Sequence, residues 1–157
     1  MPETTPLIKA ALNLRVGAGF DVYLRDAAVT ELLFATGMRI SELCTLKNDD
    51  VNLYDGIILI FGKGSKQRRI QIGNYDVIHI LKEYKKEFIA EIENCNYFFV
   101  GPSGKALSDQ SVRRMINKYT SLAAIDLHIT PHMFRHPYVK PTTKKFITFF
   151  EAFRAAI

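Results

Sequence analysis

Apolar side chains recur every three to four residues through much of the chain, which is the spacing of a buried helical face. The pattern predicts a helix from Asp26 that ends at Gly37, a second over residues 38–46 and a third over Tyr75–Phe88. A fourth helix follows Ser108, whose hydroxyl suits an N-cap. The positions that define these faces are Val29, Leu32, Leu33 and Thr36, then Val77, Leu81, Tyr84 and Phe88, then Val112, Met115, Ile116, Tyr119 and Leu122.

The stretch "GIILIFGKGSKQRRIQIG" changes to the chemistry of strands. Ile57–Phe61 and Arg69–Ile72 flank a turn rich in glycine and lysine, so they predict an antiparallel hairpin. "NYFFV" predicts a short strand or extended segment, and Thr130-Pro131 opens a further helix, with Thr as N-cap and Pro in the first turn. The predicted fold is mostly α with a small antiparallel β-sheet, an α+β arrangement.

Composition narrows the class of protein. A length of 157 residues with 48% hydrophobic residues fits one folded domain. The net charge of +5 favours an acidic partner such as nucleic acid, although a solvated surface with extra lysines has the same charge. Because Cys44 and Cys95 lack metal-ligand spacing, we expect buried thiols and no metal. The start of the chain lacks signal-peptide features and no stretch is long enough to span a membrane, so we expect a cytoplasmic protein with no membrane contact.

The first candidate motif is "ATGMRISEL", where Arg39 follows a helix-ending glycine. Glu42 lies one helical turn further on and can orient the guanidinium of Arg39. By itself the motif fits a surface ion pair equally well, and such a pair contributes little.

The second candidate is the hairpin turn "FGKGSKQRR". Lys63 stands between two glycines, and Lys66, Arg68 and Arg69 add a dense patch of positive charge that fits a DNA backbone. The alternative is a polar hairpin tip that discourages aggregation of strand edges.

The third candidate is "TPHMFRH". His132 and Arg135 share a face at the start of the predicted helix, whose N-terminal N–H groups also favour an anion such as phosphate. A surface arginine beside a structural histidine explains the pair equally well when it is taken alone.

Taken in order, "ATGMRISEL", "GKG" in a hairpin and "HMFRH" resemble the catalytic domain of the tyrosine recombinases, the phage integrase family. The resemblance covers about Arg25 to His136 and implies the fold of that DNA-breaking and rejoining domain. It implies double-stranded DNA as partner, DNA recombination and integration as function, and no cofactor. It leaves open whether the gene belongs to a mobile genetic element, such as a phage or a transposon, or to a chromosome.

The resemblance also implies roles for the matching residues. Arg39 and Arg135 would hold the non-bridging oxygens of the scissile phosphate. Lys63 would donate a proton to the departing 5′ oxygen, and His132 would assist in proton transfer and phosphate contact. Glu42 matches the acidic residue that supports the first arginine, and guanidinium groups in these roles make a metal ion unnecessary.

The chain departs from the family pattern after His136. Pro137 removes a helical N–H group, and the later motif that leads to the attacking tyrosine is missing. Tyr138 is too close to Arg135 to match the family's nucleophile, so the nucleophile is unknown. We expect a truncation or a changed reading frame at this point.

These considerations predict a weakly defined segment over residues 1–20, an integrase-like domain over 21–136 and an aberrant tail over 137–157. The tail has an apolar helical stripe from Phe146, which suggests self-association or packing on its own domain. The predicted function is site-specific DNA strand cleavage and rejoining, incomplete in this chain. The alternatives are a non-catalytic DNA-binding remnant or regulator of the same fold, a fragment similar to type IB topoisomerases, and a plain globular domain.

Overall fold

The computed structural model describes residues 20–62, 64 and 66–122. Its helices are α1 (Phe20–Thr36), α2 (Ile40–Cys44), α3 (Tyr75–Glu87), α4 (Ile89–Cys95) and α5 (Asp109–Leu122), with a 3-10 turn at Asn48–Asp50. Its strands are β1 (Val51–Asn52), β2 (Ile57–Phe61) and β3 (Gln67–Gln71). The described part is mostly helical with one small antiparallel sheet, which confirms the predicted fold class.

Helix α1 lies in the centre of the core and packs against α3. Every residue from 26 to 33 is buried, so α1 is covered on all sides rather than along one stripe. The buried Thr30 hydroxyl donates to the carbonyl oxygen of Asp26 at 2.8 Å, which satisfies a polar group inside the core. The turn over residues 37–39 that leads to α2 therefore starts from a helix buried in the core.

The sheet has the strand order β1-β2-β3, and both strand pairs are antiparallel. On β2, Ile58 and Ile60 are buried, which attaches the sheet to the core. Ile60 pairs with Arg68 on β3, and the N–H of Gly62 donates to the carbonyl of Lys66 at 2.8 Å. This bond closes the hairpin loop in whose sequence Lys63 stands.

Several predicted boundaries change for local reasons. The first helix begins at Phe20, six residues before Asp26. The second helix is shorter than residues 38–46, because the backbone of Arg39 is extended (φ −71°, ψ 149°) and α2 covers only Ile40–Cys44. Strand β3 covers Gln67–Gln71, so it begins two residues before Arg69 and ends one residue before Ile72, whose N–H still donates to the carbonyl of Gly56 at 2.7 Å in the same register.

Other local predictions have clear outcomes. The N-cap at Ser108 is confirmed, since its Oγ accepts the N–H of Ser111 at 3.1 Å. The predicted strand over 96–100 is reduced to single bridges from Tyr97 to Lys47 and from Val100 to Ala106, because Asn96 is left-handed (φ 67°) and the two residues between the bridges bend. Strand β1 and helix α4 were not predicted, because a two-residue strand and a one- to two-turn helix carry too little periodicity. The helix predicted at Thr130 and the stripe from Phe146 lie outside the described residues.

Gly56→Ala is expected to lower the free energy of unfolding by about 2–3 kcal/mol. Gly56 has a φ of +68°, and an added Cβ would lie 2.9 Å from the carbonyl oxygen of Ile72. Gly73→Ala is the matched control, because an added Cβ there meets no atom within 4 Å. Chemical denaturation of both variants provides the test, and equal losses of stability would contradict this account.

Candidate functional site

The turn between α1 and α2 places Arg39. Gly37 ends α1 in the left-handed region (φ 64°), and its N–H donates to Leu33 at 2.9 Å. Met38 and Ile40, on either side of Arg39, are both buried, while Arg39 itself is exposed. The backbone of Arg39 is therefore anchored in the core, and its side chain is accessible to a ligand.

Glu42 is buried beside this turn. Its Oε1 accepts the backbone N–H of Arg39 at 2.9 Å. Its two carboxylate oxygens also receive the guanidinium of Arg68, with Nη1–Oε2 at 3.0 Å and Nη2–Oε1 at 3.2 Å. Within the described residues, Glu42 thus supports Arg39 through the backbone, while its ion pair is made with an arginine of strand β3.

The hairpin has the positive charge that the sequence indicates. The structure exposes all three of the basic residues Lys66, Arg68 and Arg69. Of these, Arg68 forms an ion pair with Glu42 through its guanidinium. This ion pair joins strand β3 of the hairpin to the first turn of α2, which directly follows Arg39. The structure therefore brings the Arg39 motif and the basic strand of the hairpin together.

Three residues of the predicted chemistry lie outside the described residues, Lys63, His132 and Arg135, and so does Tyr138, which was not assigned a role. Their roles stay predictions that rest on the family motifs. Gly62 and Gly64, on both sides of Lys63, are described, and Gly64 has a φ of +75°.

Two basic features were not singled out from the sequence. Helix α5 packs against α2 and exposes Arg113 and Arg114. A groove of about 800 Å³ also lies between the β1–β2 turn and the end of α3. Its lining includes Tyr54, Lys82, Lys85, Lys86 and Ile89. The spacing of Lys82, Lys85 and Lys86 along α3 could have indicated this basic groove from the sequence. Lysines at such a spacing are more often simply the solvent-exposed face of a helix.

Metal and membrane features can be examined for the described residues alone. Over 20–62, 64 and 66–122, no group of three or more His, Cys, Asp or Glu side chains is arranged to hold a metal ion. In the same part of the chain, every helix is too short or too polar to cross a bilayer.

The two cysteines differ in their surroundings. Cys44 is buried as predicted, whereas Cys95 is only half-buried. Burial, followed by the charge of Asp109 on α5 and a hydrogen bond to that carboxylate, raises the pKa of Cys44 to about 12. Cys44 therefore stays a neutral thiol at physiological pH and is a poor nucleophile.

In the folded Cys95→Ser variant, Cys44 is expected to react with iodoacetamide at pH 8 at least about a hundredfold more slowly than in the unfolded chain. The sign follows from the raised pKa, because the thiolate fraction of the folded protein grows only as the pH approaches 12. Alkylation followed by mass spectrometry measures both rates. Equal rates in the folded and unfolded protein would contradict the assignment.

Comparison with known proteins decides the family. The model of the phage integrase family matches residues 7–139. The chain belongs to the phage integrase family. A tyrosine recombinase of Agathobacter rectalis is 71% identical over 115 residues, which cover 73% of this chain and 38% of that relative. Tyrosine recombinase XerC of Bacillus pumilus is 40% identical over 119 residues, covering 73% of this chain and 39% of the relative.

Solved structures agree with this membership. The crystal structure of XerA recombinase superposes with a TM-score of 0.68 at 28% identity, covering 88% of this chain and 49% of XerA. XerH site-specific recombinase bound to its difH substrate gives a TM-score of 0.68 at 23% identity, over 96% of this chain and 46% of XerH, which shows a shared fold. This confirms the predicted integrase fold. The chain spans about two-fifths of the length of the curated relatives named above.

Proposed function

We propose that this chain contributes the phosphate-binding part of the catalytic domain of a site-specific DNA recombinase. The observation that carries the proposal is the placement of Arg39. In a chain of the phage integrase family, this arginine is exposed on a turn anchored in the core and lies beside a basic hairpin. A guanidinium held in this way can form two parallel hydrogen bonds to a phosphate.

The proposed partner is double-stranded DNA. The XerH structure is described as a recombinase bound to its difH substrate before cleavage, and a relative of the same fold supports the same partner here. The net charge of +5 and the exposed Lys66 and Arg69 favour contacts with the DNA backbone. We also propose that the protein is cytoplasmic and that it self-associates through residues 137–157.

The chemistry proposed is phosphoryl transfer without a metal ion. Arg39 and Arg135 would bind the non-bridging oxygens of the scissile phosphate, and Lys63 would protonate the 5′ oxygen as its bond to phosphorus breaks. His132 would assist in proton transfer. Catalysis of this kind depends on positioning the phosphate and neutralising its negative charge. The guanidinium groups of Arg39 and Arg135, held in place before the reaction, would do both.

The second candidate function is a non-catalytic DNA-binding module. The sequence after His136 favours it, because Pro137 follows at once and Tyr138 does not match the family's nucleophile. The family match covers residues 7–139 and so extends past both ends of the proposed domain over 21–136, whose bounds stay a proposal. Both functions share the phosphate site and differ in whether that site activates the phosphate.

Cleavage of DNA by an added nucleophile distinguishes the catalytic function from the non-catalytic one. The chain is incubated with a library of randomised duplexes and hydrogen peroxide, which can attack phosphorus in place of a tyrosine. Cleavage releases a 5′-hydroxyl end, and sequencing maps those ends. If the site activates phosphate, peroxide-dependent ends will cluster at a preferred sequence.

Variants of Arg39, Lys63 and Lys66 test whether the cleavage comes from the proposed phosphate site. Lys63→Ala is expected to abolish the clustered ends, since a positioned general acid contributes about a hundredfold or more. Arg39→Ala should do the same, because it removes a donor that stabilises the charge developing on the phosphate oxygens. Lys66→Ala, in the same hairpin, should reduce binding only. Duplex binding without peroxide-dependent cleavage in the unmodified chain would favour the non-catalytic module.

A further inference from the structure

The carboxylate of Glu42 connects two parts of the chain that are distant in sequence. Arg68 lies 26 residues after Glu42 and meets it through both terminal nitrogens. The same Oε1 that accepts from Arg68 also accepts the backbone N–H of Arg39. One carboxyl group therefore joins strand β3 to the residue that precedes α2.

The two side chains of the Arg68–Glu42 ion pair differ in their exposure to solvent. The Glu42 side chain is 7% exposed, whereas that of Arg68 is 46% exposed. A buried carboxylate needs hydrogen-bond donors, and without Arg68 it would gain by turning towards water. Such a movement would release the N–H of Arg39, because the same oxygen holds it.

The geometry also links the two motifs of the phosphate site. Arg68 pairs with Ile60 across the hairpin, and Gly62 and Lys66 close the loop in whose sequence Lys63 stands. The ion pair therefore attaches this hairpin to the turn that carries Arg39. Two parallel bonds from a planar guanidinium restrain rotation as well as distance, which a single ammonium contact does not.

We propose that Arg68 is a positioning residue that acts through Glu42 to hold the backbone of Arg39 and the Lys63 hairpin in a fixed relation. Its effect on DNA passes through Arg39 rather than through a phosphate contact of its own. The effect of Arg68 on DNA binding rests on the proposed function. The positioning of Arg39 does not, because it is a property of the protein without DNA.

Amide hydrogen exchange tests the positioning without DNA. Arg68→Ala is expected to speed exchange at the Arg39 amide by about three- to tenfold, as expected for loss of a charged hydrogen bond at a partly exposed pair. Arg69→Ala is the matched control, because it removes the neighbouring arginine, whose side chain lies on the other face of β3. Amides of α1 should be unchanged in both variants, which shows that each is folded.

Arg68→Lys supplies the conservative comparison. It keeps the charge but loses the paired contact, so exchange at the Arg39 amide should lie between that of the unmodified chain and that of Arg68→Ala. Equal exchange in Arg68→Ala and Arg69→Ala would overturn the proposal.

A double-mutant cycle tests the route to DNA. For a random-sequence duplex, Arg68→Ala should weaken binding about three- to tenfold when Arg39 is present. In the Arg39→Ala background the same change should alter binding by less than about twofold. Additive losses would mean that Arg68 contacts DNA independently, and they would overturn the proposal.

The two measurements separate this inference from the proposed function. If the unmodified chain does not bind duplex DNA, the proposed function fails, and exchange at the Arg39 amide still decides whether Arg68 positions that residue. If the chain binds DNA and Arg39→Ala weakens binding, the cycle decides whether Arg68 acts through Arg39.

Discussion

Arg39→Ala is expected to weaken binding of duplex DNA by about ten- to a hundredfold at low salt. Arg39 is exposed, its neighbours Met38 and Ile40 are buried, and its backbone N–H is held by Glu42. Its side chain therefore has a defined starting point, and little conformational freedom of the backbone is lost on binding. Titration of a labelled duplex with the unmodified chain and the variant measures the ratio of dissociation constants.

Two further variants show that the effect belongs to this position. Arg39→Lys keeps the charge but not the paired geometry, so it should recover only part of the affinity. Arg114→Ala removes an exposed arginine of α5 and should cause a much smaller loss. If Arg39→Ala and Arg114→Ala weaken binding equally, Arg39 is merely one of many surface charges and its proposed role in binding phosphate is wrong.

Tyr84→Ala is expected to lower the free energy of unfolding by about 3–5 kcal/mol. The Tyr84 ring is fully buried and contacts Phe88, Phe98 and Phe99, with centroid distances of 4.9, 5.5 and 5.2 Å. Its hydroxyl donates to the carbonyl of Phe98 at 2.8 Å and accepts the N–H of Val100 at 2.9 Å. Removing the ring leaves both a cavity and two unpaired backbone groups.

Tyr84→Phe separates these two contributions. It keeps the ring but leaves the two backbone groups of the 98–100 segment without the hydroxyl, which should cost about 1–3 kcal/mol. Tyr54→Ala is the surface control, because Tyr54 is 93% exposed and its replacement should change stability by less than about 0.5 kcal/mol. Denaturant unfolding measures all three, and a Tyr84→Ala effect as small as that of Tyr54→Ala would contradict the described core.

Short-range features of the fold were predictable because their causes are local. Gly37 ends α1 as expected, since a residue without a Cβ adopts its positive φ most readily. Ser108 caps α5 through its own hydroxyl, and Tyr84 lies on the buried stripe of α3. The burial of α1 on all sides was not predictable from periodicity, since it depends on the elements that pack around it.

In the candidate site, too, contacts between residues close in sequence were predictable and contacts between distant residues were not. From the spacing of three residues, Glu42 was predicted to orient the guanidinium of Arg39. In the structure its carboxylate accepts the backbone N–H of Arg39 and pairs with the guanidinium of Arg68. The pairing of Glu42 with Arg68 depends on the path of β2 and β3, so no local pattern indicates it. Arg68 was assigned to DNA from its charge alone. The structure adds a partner inside the protein, which is the basis for its proposed positioning role.

Binding of the unmodified chain to a random-sequence duplex across a salt series tests the central claim most directly, with Arg39→Ala and Arg135→Ala measured alongside. We predict that log K falls by about 0.9 for each phosphate contact per unit of log salt concentration, and that each variant lowers this slope by about one contact. No binding at low salt, or binding that neither depends on salt nor weakens in either variant, would contradict the claim that this chain contains the phosphate site of a DNA recombinase.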